Sequence, residues 1–445
     1  MTKILIIGAG RSSTSLIEYL LNQSLEHDWK ITVADVDVHH AKQKTGDHPN
    51  GTAISFDIRN DEQRRFTIGQ HDLVISMLPS NMHGEVARDC VEAGRHMFTA
   101  SYVSGEMKML EGEARKKNVL LLNECGLDPG LDHASAMKVI HEISEAGGTI
   151  TGFRSYCGGL VAPESNDNPW GYKFSWNPRN VILAGQGTAQ YLEEGEIKFI
   201  PYNRLFRQTE LLEINDYGRF DAYANRDSIG YIDIYGLSKV RTMLRGTLRQ
   251  HGYCKAWNVF VKLGLTDDTT VISHARELTY TSLVGSFLPA GNGSVHQRLK
   301  HFMGDEWDEE IETMLDYLEL FSDKKITIAE GTPAQLLQVL LEEKWKLKAG
   351  DRDMIVMEHQ FEYEVDDLPG RPLKLKSSLV VTGKDQHHTA MALTVGLPLA
   401  VTVKNFLVGN FKLSGLQIPT KKEIYEPMLR ELEEHQIIFH ERLMK

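Results

Sequence analysis

The chain is poor in cysteine. Its four cysteines, Cys90, Cys125, Cys157 and Cys254, are scattered among 445 residues with no Cys-x-x-Cys pair. That spacing argues against a zinc site or a disulfide framework and for a reducing compartment. Long apolar runs are missing as well. The longest, Met391 to Val403, is 13 residues and contains Thr394, Gly396, Pro398 and Thr402. A membrane span needs ~20 residues, so this stretch reads as a buried helix. Gly8 and Gly10 interrupt the early apolar run, which leaves no legible secretory leader. Positive charge is in deficit: 49 Lys and Arg against 61 Asp and Glu give a formal net charge of -12. Nothing in that balance favours nucleic acid or an anionic membrane surface. His39-His40 and His387-His388 lack metal-ligand spacing, and no metal is expected. A soluble, cytoplasmic protein without a membrane partner is expected. An acidic chain that binds an anionic substrate must build a local basic pocket, so isolated arginines become candidates.

At 445 residues the chain is long enough for two or three domains. Its first thirty-five residues organise the rest. Lys3 to Ile7 is an apolar run, and Gly8-Ala9-Gly10-Arg11 follows at once. Leu16, Ile17, Leu20 and Leu21 recur at helical spacing, and Ile31 to Ala34 ends in Asp35. Strand, glycine turn, helix, strand, acid is the layout of a dinucleotide-binding βαβ unit. Gly8 makes the tight turn and Gly10 lets backbone approach a pyrophosphate at the helix N-terminus. Ser13 stands where the motif has its third glycine.

The alternation continues. Strands are expected at 52–56, 73–76, 96–98 and 119–122, with helices at 85–93 and from Ser104 to about 117. The fold class is therefore α/β: a Rossmann-type doubly wound parallel sheet, with a second α+β substrate domain and a largely helical insertion. Ligands on such a sheet bind beyond the carboxyl ends of the strands. The expected organisation is a dinucleotide-binding domain over 1–130, rejoined by 388–445, and a substrate-binding and dimerisation domain over 131–387. A helical part lies near 238–346, and Ser238 to Leu248 reads as its first helix. Met354 to Tyr363 and Leu373 to Thr382 read as two strands around a turn at Asp366 to Gly370. A homodimer is expected.

The peptide from Asn123 to His133 is the most distinctive stretch. With Thr99 to Ser104, Ser155 to Leu160, Asn168 to Trp176, Tyr223 to Ser228, Arg245 to Arg249, Val395 to Pro398 and Glu423 to Pro427, it closely resembles saccharopine dehydrogenases of the glutamate-forming kind. The resemblance implies NAD(P)-dependent interconversion of saccharopine, a small amino-acid substrate, with glutamate plus α-aminoadipate semialdehyde. It implies a cofactor along Gly8, Ala9, Gly10 and Arg11, at Asp35 and Asp57, at Met77, Leu78 and Pro79, and at Leu127 and Pro129. It implies substrate contacts at Ser101, Tyr102, Asp128, Arg226, Thr247, Leu248 and Arg249, with Asp128 and Tyr102 as the catalytic candidates. Arginine suits the carboxylates of saccharopine because its planar fork pairs with them bidentately. The alternatives are a related imine reductase, such as a carboxyspermidine-type dehydrogenase, and a non-enzymatic dinucleotide sensor.

The residues alone leave blander readings open. Arg226 also reads as a surface partner of Asp227, Arg249 as a charge at a helix end, Tyr102 as a core aromatic, and His133 as structural. The Trp170, Tyr172, Phe174 and Trp176 alternation reads as strand or core packing. For the cofactor, Asp35-Val36-Asp37 favours NAD over NADP. A carboxylate at that strand end accepts the ribose hydroxyls of NAD and repels a 2′-phosphate. No Lys or Arg stands between Asp35 and Lys42 to offset it, and Arg11 is the one nearby cation. NAD in turn suggests an oxidative, lysine-degrading direction.

Overall fold

A computed structural model describes residues 1–214, 217–365 and 372–444. The chain divides into two compact units. One comprises Met1–Ile150, Ile234–Gly236 and Glu362–Lys445; the other comprises Thr151–Asp233 and Leu237–Phe361. The sequence reading set its boundaries at 130 and 388. The turn expected at Asp366 to Gly370 lies outside the described residues.

The first unit is built on a parallel sheet. Its strands are β1 (Thr2–Ile7), β2 (Trp29–Asp35), β3 (Gly51–Ser55), β4 (Leu73–Ser76), β5 (His96–Thr99) and β6 (Leu120–Leu122), with Gly415–Gln417 added beyond β6. The order is Gly415–Gln417, β6, β5, β4, β1, β2, β3. Ile4 of β1 lies beside Ile31 of β2 and Leu73 of β4. Ile4 to Ile7 are buried, because strands lie on both sides and helices cover both faces. That is why β1 reads as a continuous apolar run rather than an alternating one. The chain leaves β1 toward β2 and β3, then returns to β4 on the other side. This reversal is the switch point at which such sheets open a crevice. The apolar helix Ala390–Leu407 has the length and composition of a membrane span, and 72% of it is buried inside the protein. It packs against the helix Thr14–His27.

The second unit holds a mixed sheet. β7 (Gly148–Val161), β8 (Thr188–Glu193), β9 (Glu196–Pro201), β10 (Thr209–Ile214), β11 (Gly218–Ala224), β12 (Thr242–Gln250) and β13 (Asp353–Val365) supply it. The order runs β10-β11-β12-β7-β13, and β8 pairs antiparallel with β9. β12 is parallel to β7 and antiparallel to β11. Trp170, Tyr172, Phe174, Tyr253, Trp257 and Trp345 are buried, with neighbouring rings 5.2–6.1 Å apart. The aromatic alternation at 170–176 is thus core packing. The helix expected at Ser238 to Leu248 is not there; Thr242–Gln250 is strand β12. Leu237, Val240, Met243, Leu244 and Leu248 recur at three- and four-residue spacing, which imitates a helix. The spacing arises because β12 is interior and buried on both faces, so nothing imposes alternation.

Candidate functional site

The candidate residues fall into two groups, one in each unit. In the first unit, the turn after β1 is built for close backbone approach. Gly8 has φ +105°, and a Cβ there would lie 2.8 Å from the carbonyl oxygen of Met77. The turn can therefore carry no side chain at this point, as a pyrophosphate cradle requires. The Gly8 amide donates to Ala34 O at 2.8 Å and Met77 donates to Ile7 O at 2.8 Å, so Gly8, Ala9 and the Met77-Leu78-Pro79 segment share one end of the sheet. Ser13 takes the third motif position without opening a gap: it is buried and its hydroxyl donates to Gly10 O at 2.9 Å. Arg11 is exposed at the start of that turn, and Asp57, also exposed, accepts from the Arg59 amide at 3.0 Å.

Asp35 does something the sequence did not show. Its Oδ2 accepts the Ala9 amide at 2.7 Å, and its Oδ1 accepts the Asp37 amide at 3.0 Å. Both carboxylate oxygens are engaged by backbone, and the side chain ties the glycine turn to the end of β2. Asp37 in turn caps the helix Val38–Thr45, accepting from the His39 amide at 2.9 Å.

Further along the same edge, the loops after β5 and β6 meet. The Tyr102 hydroxyl donates to Asp128 Oδ1 at 3.1 Å. The two catalytic candidates are thus brought into contact, each half-buried. Their loops are braced from below. The Glu124 amide donates to Ser101 O at 3.0 Å, and Glu124 Oε1 accepts the Val103 amide at 2.9 Å. His133, fully buried, lies 2.8 Å from Glu124 Oε2 through Nε2 and 2.6 Å from the Tyr235 hydroxyl through Nδ1. Both His133 ring nitrogens are thus engaged within the protein. Gly130 lets the loop carrying Leu127, Asp128 and Pro129 close: its φ is +144°, and a Cβ would lie 2.2 Å from Gly126 N. Sequence reasoning missed His83, which bridges Ser76 and Ser101. Burial alone pushes its imidazole down to about 4, so it is neutral at physiological pH.

In the second unit, β12 carries Thr247, Leu248 and Arg249. Arg249 lies on a strand, which removes the helix-end reading. Its side chain is 4% exposed. The guanidinium sits 5.5 Å from the ring centres of Tyr172 and Tyr253 and 5.9 Å from that of Tyr223. Nη1 donates to Leu248 O at 3.0 Å, while the buried Nε has no hydrogen-bond partner. Among the described residues Arg249 forms no ion pair. Burial disfavours its charge, but the surrounding tyrosines Tyr223, Tyr253 and Tyr172 outweigh that and hold it protonated. A desolvated cation with an idle N–H is suited to an incoming carboxylate. Thr247 lies opposite Tyr223 on β11, and Leu248 is fully buried. Arg226 is elsewhere: exposed, with φ +44°, just past β11. The β11–β12 pairing ends with Ala224 beside Gly246, and the Arg226 carbonyl accepts from the Gln190 amide at 2.8 Å, so Arg226 lies beyond the paired part of the ladder that carries Arg249. Arg245, also missed, is buried with its guanidinium 4.2 Å from the Tyr231 ring centre.

Comparison with known proteins places this geometry in a family. Residues 4–122 match the saccharopine dehydrogenase NADP binding domain, and residues 126–438 match the saccharopine dehydrogenase C-terminal domain. The chain is 34% identical over 440 residues to a saccharopine dehydrogenase [NADP(+), L-glutamate-forming] of Pyricularia oryzae, covering 97% of this chain and 96% of that one. It is 34% identical over 438 residues to the protein of the same description from Saccharomyces cerevisiae, again covering 97% and 96%. The structure of apo saccharopine dehydrogenase (L-Glu forming) from Saccharomyces cerevisiae superposes with a TM-score of 0.90 at 32% identity, covering all of both chains.

These findings correct the cofactor expectation. The matched N-terminal domain is an NADP-binding one and both relatives are described with NADP(+), against the preference for NAD. The physical reason lies in Asp35. Its two oxygens already accept the Ala9 and Asp37 amides, so it is not the idle ribose acceptor that the NAD argument needed. The oxidative direction, which rested on NAD, loses its support with it. With both domains matched and the similarity running over the full length, the chain belongs to the saccharopine dehydrogenase family.

Proposed function

We propose that this chain is an NADP-dependent oxidoreductase that interconverts saccharopine with glutamate and α-aminoadipate semialdehyde. The observation that carries the reading is Arg249, a buried guanidinium in a tyrosine ring with no ion pair among the described residues. Leaving such a charge unpaired is costly, and a substrate carboxylate supplies the missing partner. A bound nicotinamide would supply the hydride acceptor for the carbon beside saccharopine's secondary amine. The protein's own groups do the rest. Gly8, Ala9, Gly10 and Arg11, with Met77 to Pro79, would hold the dinucleotide. Asp128 pairs with a substrate ammonium, and the Tyr102–Asp128 pair moves protons at the amine nitrogen and at the water that hydrolyses the imine. Arg226 binds a second, more exposed carboxylate.

Calorimetric titration tests the carboxylate pocket. Saccharopine should bind the wild type, and Arg249→Met should weaken it by roughly 100-fold, about 3 kcal/mol, the scale of a lost buried charge pair. An aminated substrate with a single carboxylate, of the carboxyspermidine kind, should bind weakly to both. Tighter binding of that compound than of saccharopine overturns the reading.

Two further statements belong to this proposal. The enzyme acts as a homodimer; Ile197 and Phe199 stand two residues apart on β9, 55% and 62% exposed, and give an apolar stripe for a second copy. Sedimentation of the wild type beside Phe199→Glu checks it, a dimer and a monomer being expected. It resides in the cytoplasm, which the four free, buried cysteines support.

A further inference from the structure

Ser76 ends β4, Ser101 follows β5, and His83 opens the helix His83–Ala93 between them. His83 Nδ1 lies 2.8 Å from Ser76 Oγ, and Nε2 lies 2.7 Å from Ser101 Oγ. Ser76 is fully buried, His83 is 3% exposed, and Ser101 is half-buried. Among the described residues no carboxylate pairs with His83. A neutral imidazole donates from one nitrogen and accepts at the other. The three groups therefore form a row whose proton order runs one way or the other.

The buried end decides which. Were Nδ1 protonated, it would donate to Ser76, and the Ser76 hydroxyl proton would then be buried without an acceptor among the described residues. An orphaned buried donor is the costlier arrangement. Ser76 therefore donates to Nδ1, the proton of the ring sits on Nε2, and Nε2 donates to Ser101. The Ser101 oxygen is then occupied as an acceptor and its own O–H points away from the ring.

We propose that His83 is a positioning residue that fixes Ser101 as a hydrogen-bond donor toward an oxygen of the substrate, most directly a carboxylate oxygen. The row reads Ser76, His83, Ser101, ligand oxygen, each donating to the next. The polarity of a half-buried site hydroxyl is thus set by a serine that touches no ligand. This inference rests on the reading that Ser101 faces saccharopine.

The test combines a mutant cycle with imidazole nitrogen NMR on the full-length enzyme with NADP. Ser101→Ala should raise KM for saccharopine about tenfold with a smaller change in kcat, the scale of a hydrogen bond to a charged group. His83→Leu should raise it by a similar factor, and the double variant should be no worse than either. His83→Gln, whose amide can still donate toward Ser101, should recover most of the loss. The nitrogen spectrum of the wild type should show a neutral ring protonated at Nε2, without and with saccharopine. Effects that multiply in the double variant, or a ring protonated at Nδ1, overturn the proposal while leaving Ser101 in the site. An unchanged KM in Ser101→Ala overturns the placement of Ser101 itself, and the proposal with it.

Discussion

The hydroxyl of Tyr102 and the carboxylate of Asp128 are 3.1 Å apart, donor to acceptor, although 26 residues separate them in the chain. The contact makes them one chemical unit. A phenol that donates to a carboxylate is oriented by it, and a proton leaving either group is shared with the other. Tyr102→Phe and Asp128→Asn should each lower kcat, by about tenfold to a thousandfold. The double variant should lose less than the product of the two factors. Nearly full turnover in both single variants across pH 6 to 10 contradicts this assignment.

Arg249 separates function from stability. Removing a buried cation that has no ion pair among the described residues takes away a desolvation cost as well as a contact. Arg249→Met should therefore be at least as stable as the wild type to urea while losing saccharopine binding. A fall in stability of more than about 2 kcal/mol would mean that the guanidinium serves the core rather than the ligand.

Asp35 ties the turn together through the Ala9 and Asp37 amides. Asp35→Asn keeps one acceptor oxygen and loses the other, so the turn loosens. Dissociation constants for NADP and NAD, read from nicotinamide fluorescence, should rise together, with their ratio unchanged within about threefold; a lost hydrogen bond of this kind is worth about 1–2 kcal/mol. A selective gain for NADP would restore the view that this carboxylate reads the ribose.

His83 makes stability depend on pH in a definite direction. Burial pushes its folded pKa down to about 4, from an ordinary 6.5. The unfolded chain therefore binds the extra proton first as pH falls. The contribution is fully present above about pH 6.5 and is lost progressively down to about pH 4, up to roughly 3 kcal/mol. His71 and His96 are lowered by burial in the same sense, so the comparison must be differential. Chemical denaturation of the wild type and His83→Gln between pH 4 and 7 should show the wild type losing more stability on acidification. Parallel curves would mean that folding leaves the His83 pKa at its ordinary value.

Much of this is legible in the sequence. The strands of the first unit show as apolar runs because helices cover both faces of the sheet, and Asn123 to His133 carries the family's pattern. Other features depend on tertiary facts that no local pattern records. Asp35 stands where the motif wants an acid, but only the folded turn shows the Ala9 amide against it. Ser238 to Leu248 carries a helical period because an interior strand buried on both faces has no alternation to display. Arg249 was read as a ligand for carboxylates from the resemblance, yet its isolation depends on Tyr172 and Tyr223, which are distant in the chain, as well as on Tyr253 at the start of the next helix. His83 sits between Met82 and Gly84 with nothing nearby to mark it; its partners come from the ends of two strands.

The central claim is tested most directly by mixing the purified protein with saccharopine and either NADP or NAD and following nicotinamide reduction at 340 nm. The account predicts turnover with NADP, a higher kcat/KM for NADP than for NAD, and glutamate released in step with the reduced cofactor. No turnover with either cofactor, or reduction without glutamate, contradicts it.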